Sequence, residues 1–120
     1  MRAYVGTAGV RPLDRDGEDA LVSPWLGQVG RSAFYRQIAQ ADERHTEEIE
    51  PLYGRIAVPT LVVWGEHDRW IPAQRGRELA RRIPGARLEL LPTAGHLVPE
   101  EEPEEPARLP AAHLSAIPDY

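Results

Sequence analysis

Two apolar runs with a helical stretch between them constrain this chain more than any other feature. The first, Leu61-Val-Val-Trp64, follows Pro59 and stops at Gly65; the second, Leu88-Glu-Leu-Leu91, stops at Pro92. The first is continuously apolar and does not alternate, the pattern of a parallel strand covered on both faces. Strands are predicted at 60–64 and 87–91. Between them, residues 73–83 set Leu79, Ala80 and Ile83 on one stripe and Arg75, Arg77, Arg81 and Arg82 on the wet side, as an amphipathic helix requires. Pro72 suits the first helical position, and Pro84-Gly85 ends the helix. Strand, helix and strand in this order form the right-handed crossover unit of a parallel sheet, so the fold class is α/β.

The flanking regions are weaker in pattern. Residues 1–30 are rich in glycine, proline and acid, and loops with one short helix near 18–23 are expected. Ala33, Phe34, Ile38 and Ala41 recur at helical spacing and predict a helix over 32–41. A second helix is predicted over 46–53, with Thr46 as its cap, Glu47 and Glu48 in its first turn and Gly54 as its stop. The acidic run at 100–105 reads as a solvated turn. A helix is expected over 106–115 with Leu109 and Leu114 on it, although Pro110 removes a hydrogen bond from its interior. The chain thus divides into a helical segment, 1–55, and an α/β segment, 56–120.

Composition excludes several kinds of chemistry. At 120 residues the chain is one domain at most. Its net charge of −5 argues against a nucleic-acid partner. All 14 basic residues are Arg, so neither a Schiff-base Lys nor a P-loop Lys is present. There is no Cys, which removes disulfides, thiol nucleophiles and Cys-ligated zinc. His45, His67 and His113 lack metal-ligand spacing, and neither a metal nor another cofactor is predicted. The N-terminus lacks the apolar core of a signal peptide, and no apolar run reaches membrane-spanning length. A cytoplasmic protein without membrane association is the expectation.

Two residues carry the chemistry. Asp68 follows Gly65 at the tip of the first predicted strand, and His96 follows Gly95 just past the second. Ligands bind at the carboxyl edge of such sheets. A His acting as general base needs one ring nitrogen free, while an acid on the other fixes its tautomer. Val58-Pro-Thr-Leu-Val-Val-Trp-Gly-Glu-His-Asp-Arg-Trp-Ile-Pro72, followed by Arg87-Leu-Glu-Leu-Leu-Pro-Thr-Ala-Gly-His-Leu-Val-Pro-Glu-Glu101, is similar to the C-terminal third of an α/β-hydrolase. That family runs proline, buried strand, Gly-x-x-Asp, an Ile/Val-Pro step, helix, second strand, then Gly-His and an acidic turn. Every element has its counterpart across 56–105. Residues 20–55, including Pro24-Trp-Leu-Gly27, resemble the cap of the branch that holds epoxide hydrolases, dehalogenases and carbon–carbon bond hydrolases.

The resemblance implies a hydrolase acting on a small molecule, with Asp68 as triad acid and His96 as base. It also nominates Trp25, Phe34, Trp70 and Leu97 as substrate-binding residues. Trp25 and Phe34, with Tyr35, also read as plain core at helical spacing. The nucleophile that the family carries in a Gly-x-Ser/Asp/Cys-x-Gly elbow has no counterpart. The serines are Ser23, Ser32 and Ser115; Gly30-Arg-Ser32-Ala-Phe34 starts like an elbow but ends on Phe and follows no strand. Asp14, Asp16, Asp19 and Asp42 are not flanked correctly, and the oxyanion-hole segment has no counterpart either. The expectation is a truncated reading frame holding cap and C-terminal core, inactive alone. The alternative is a non-catalytic interaction module whose sheet is completed by dimerising or by a separate N-terminal half, because two parallel strands leave long open edges.

Overall fold

The structure is a computed structural model that describes residues 2–117. Helices α1 (Arg2–Val5), α2 (Arg15–Val22), α3 (Gly27–Ala39) and α4 (Arg44–Glu47) come first, with 3-10 turns at Ser23–Trp25 and Glu50–Arg55. Strand β1 (Leu61–Gly65), helix α5 (Ala73–Arg82) and strand β2 (Arg87–Leu91) follow, then the short α6 (Val98–Glu101) and α7 (Glu105–Ser115). The result is a mixed α/β topology: a parallel two-stranded sheet preceded and flanked by helices.

The strands pair in register from Leu61 against Arg87 to Gly65 against Leu91. Side chains alternate faces along a strand. Val62 and Trp64 share one face with Leu88 and Leu90, and α5 covers it by laying Gly76 on the Trp64 ring. Ile83, just past α5, is buried with Val62 and Leu91. Among the described residues the sheet has no third strand, so β1 and β2 each keep an open edge. Val62 is the one apolar side chain of β1 that is buried; Leu61, Val63 and Trp64 are half-buried. The radius of gyration is 16.8 Å, against about 14 Å for a compact chain of this length. The sheet is small and open at both edges, in an extended molecule. No helix of the described residues is long and apolar enough to cross a membrane.

The helical segment departs from expectation in instructive ways. α2 begins at Arg15 because the Asp14 side chain accepts the Gly17 amide at 2.7 Å and caps it. α1 has no sequence forecast; Arg2 joins it to α2 through ion pairs with Glu18 and Asp19. α3 starts five residues before the predicted position. The helix forecast over 46–53 is two short pieces, since Pro51 withholds an amide and disfavours helical geometry just before it. Thr46 lies inside α4 and donates to the Glu43 carbonyl, while Asp42 accepts the Arg44 amide. Gly54 sits within the second 3-10 turn, which ends at Arg55. Pro72 is the residue just outside α5 (φ −54°, ψ 142°) and not its first helical position. The acidic run at 100–105 is not wholly solvated: Glu101 is buried.

Candidate active site

The two loops that leave the sheet at its carboxyl edge are tied together by their backbones. Glu66 donates to the Leu91 carbonyl at 2.9 Å and His67 to the Ala94 carbonyl at 3.1 Å. The approach is tight enough that a Cβ on Gly65 would lie 2.0 Å from the Gly95 carbonyl oxygen, which only glycine avoids. On this frame Asp68 folds back on its own turn. Its Oδ1 accepts the amides of Trp70 at 2.9 Å and Ile71 at 2.8 Å. Its Oδ2 lies 2.9 Å from His96 Nδ1. The Asp68 side chain is 5% exposed and that of His96 is 28%.

This geometry sets the tautomer. An ionised carboxylate only accepts hydrogen bonds, so the contact places the proton on Nδ1 and leaves the Nε2 lone pair as an acceptor. The His96 backbone is held as well, its amide donating to the Ala8 carbonyl at 2.8 Å. Trp70 packs on the imidazole with ring centroids 4.8 Å apart. It stacks on Tyr4 at 4.4 Å, and its indole N–H donates to the Thr7 hydroxyl at 3.0 Å. Asp68 and His96 open onto a groove of about 420 Å³ whose walls include Val63, Ile71, Val98, Pro106 and Pro110.

The nominated substrate-binding residues do not line this groove. Trp70 lies on the flank of His96. Trp25 and Phe34 belong to an aromatic chain that reaches it stepwise: Trp25 to Phe34 at 5.7 Å, Phe34 to Tyr4 at 6.4 Å, Tyr4 to Trp70 at 4.4 Å. Leu97 stands at the start of α6, half-buried. No serine lines the groove. Among the described residues no cluster of His, Asp and Glu is arranged to hold a metal. Three prolines, Pro99, Pro106 and Pro110, line the groove, and neither they nor Glu101 are among the site residues expected from the sequence. A signal for Pro106 and Pro110 was present, since they are four apart and share one helix face.

Residues 23–103 match the family model described as alpha/beta hydrolase fold. The chain belongs to the α/β-hydrolase fold family. An α/β-hydrolase-fold protein from Burkholderia ambifaria has a crystal structure matching 95% of this chain with a TM-score of 0.85 and 45% identity, and 41% of that protein is covered. Monoacylglycerol lipase abhd6-A of Xenopus laevis is 29% identical over 92 residues, 75% of this chain and 27% of its own length. A 2-hydroxy-6-oxo-6-phenylhexa-2,4-dienoate hydrolase of Burkholderia cepacia is 39% identical over 49 residues, 41% of this chain and 17% of its own. The chain thus spans about a quarter or less of these curated relatives. They fall in several branches of the family, so membership is general and does not single out the epoxide hydrolase, dehalogenase and carbon–carbon hydrolase branch.

Proposed function

We propose that this chain is the acid- and base-bearing part of an α/β-hydrolase site and works only where further strands complete its sheet. The observation that carries the reading is the Asp68–His96 pair, 2.9 Å apart, at the carboxyl edge of a sheet with two open edges. In this reading His96 is the general base and Asp68 its orienting acid. The nucleophile and the oxyanion donors come with the completing strands. A His without them contributes little. Alone, the chain is an interaction module: its open strands pair with an N-terminal core, on the same or a separate polypeptide, or with a second copy. The half-buried Leu61, Val63 and Trp64 support that reading over an independent enzyme.

The apolar groove walls suit an apolar small-molecule substrate. Residues 1–55 are then the cap-like part and 56–120 the core part, with Trp25, Phe34, Trp70 and Leu97 as the substrate-binding residues of the completed site. The helical stretch before β1 supports a place in the branch of epoxide hydrolases, dehalogenases and carbon–carbon bond hydrolases, as does the similarity to the Burkholderia cepacia hydrolase. Sedimentation of the purified chain tests the proposal. A discrete dimer, or a complex with an added N-terminal core, is the expected result. A stable monomer with ester hydrolase activity would overturn it.

A further inference from the structure

Glu101 is buried, 7% exposed. Its carboxylate faces backbone donors from two segments far apart in sequence. Oε2 accepts the Gly95 amide at 2.7 Å in a buried hydrogen bond. Oε1 accepts the Val10 amide and, at 3.3 Å, that of Arg11. The cradle has no room to spare: a Cβ on Gly9 would lie 3.1 Å from Oε1, and one on Gly95 would lie 3.1 Å from Oε2. The Arg11 guanidinium closes it by donating to the Glu101 carbonyl and to the Glu102 carboxylate, both at 2.8 Å. Thr93 donates to the same Glu102 oxygen at 2.6 Å. The turn from Thr93 to Gly95 is therefore gripped by two consecutive carboxylates, and His96 is the next residue.

We propose that Glu101 is a positioning residue for His96: by collecting the Gly95, Val10 and Arg11 amides it clamps the His96 turn against residues 8–11 and so holds the imidazole on Asp68. The proposal rests on the reading of Asp68 and His96 as a working pair. A carboxylate suits the role because charge-assisted bonds to N–H groups are the strong ones, and because an anion can accept from several donors at once. Neutral Gln is the same size but turns an N–H₂ toward amides that need an acceptor. The His96 amide bond to the Ala8 carbonyl is the second half of the clamp.

Proton NMR and amide exchange on the 120-residue chain test the proposal, comparing Glu101→Gln with Glu100→Gln at its exposed neighbour. The reporter is the deshielded His96 Nδ1–H proton bonded to Asp68. In Glu101→Gln that resonance should be lost, and the Gly95, Val10 and Arg11 amides should exchange about tenfold faster. The amides of β1 and β2 should keep their protection, and Glu100→Gln should match the parent chain. A His96 resonance that survives while only Val10 and Arg11 accelerate would overturn the proposal, since Glu101 would then merely staple the N-terminal segment. Equal acceleration of the strand amides would overturn it too, as a general loss of stability. Asp68→Asn separates the two readings. If it leaves the His96 resonance intact, the pair itself falls and Glu101 with it. If it abolishes the resonance and Glu101→Gln does not, only the role of Glu101 falls.

Discussion

Asp68 reaches His96 Nδ1 at 2.9 Å with one oxygen while its other oxygen is held by the amides of Trp70 and Ile71. The turn holds the carboxylate through bonds that do not involve the imidazole. Two jobs are thus combined in one side chain, and substitution can part them. Asp68→Asn keeps an oxygen for the two amides and should cost less than about 1 kcal/mol, whereas Asp68→Ala leaves both amides unpaired and should cost about 2–3 kcal/mol. Urea unfolding of both variants is the measurement. Equal costs would show that the turn does not depend on the carboxylate.

The purified chain should hydrolyse nitrophenyl esters no faster than its His96→Ala variant. The groove holds the imidazole but no serine. General-base assistance alone contributes roughly 10²–10⁴ and presupposes something to deprotonate. A burst of product that depends on His96 would reveal a nucleophile the geometry does not show.

The α/β class was legible because it rests on patterns that survive without context. Arg87–Leu91 is a strand as expected, and β1 is displaced by a single residue, from 60–64 to Leu61–Gly65. Both are short apolar runs closed by glycine or proline. The helical segment was less legible because its signals are tertiary. Gly27 and Gly30 in the first turn of α3 hide its start from any propensity argument, and no residue of that helix is buried. At the site, the strand-end placement of Asp68 and His96 could be read from the chain, and so could their approach to hydrogen-bonding reach, because neighbouring parallel strands lie about 5 Å apart and their loops can meet. Glu101 was invisible because an acid among acids reads as solvent-facing, and its donors, Val10 and Arg11, come from the other end of the sequence.

Trp70 makes three contacts that tie the N-terminal segment to the site: it stacks on Tyr4, packs on His96 and donates to Thr7. Aromatic contacts of this kind add about 0.5–1.5 kcal/mol each beyond the area they bury. Trp70→Ala should therefore release α1 more than it unfolds the sheet. Limited trypsin digestion should cut the variant faster after Arg2 and Arg15, with the β1–α5–β2 unit still protected. Uniform digestion throughout the chain would show that Trp70 belongs to the main core.

Pro110 sits inside α7 with its ring on the groove wall beside Pro106. It gives no amide to the Pro106 carbonyl four residues back, a defect costing about 3 kcal/mol in a helix interior. Alanine also loosens the unfolded chain, which offsets about 0.4–1 kcal/mol of any gain. Pro110→Ala should therefore stabilise α7 by about 2 kcal/mol and raise helical circular dichroism. Unchanged stability would mean that the proline's packing in the groove matches the lost bond.

The last prediction concerns the open sheet. Leu61, Val63 and Trp64 are half-buried, although their run has the pattern of a strand covered on both faces. α5 lies on one side, and both strand edges are free among the described residues. Full burial of a large apolar side chain contributes about 1.5–3 kcal/mol, and whole domains are stable by about 5–15 kcal/mol. Three such residues left partly wet remove a large share of that margin. Self-association along the open edge would restore it, because pairing strands satisfies edge amides and covers these side chains together. Thermal unfolding followed by circular dichroism should therefore give a broad transition at low protein concentration, and its midpoint should rise with concentration. A sharp, concentration-independent transition from a monomer would show that the helices cover the sheet well enough for the chain to stand as a domain without further strands.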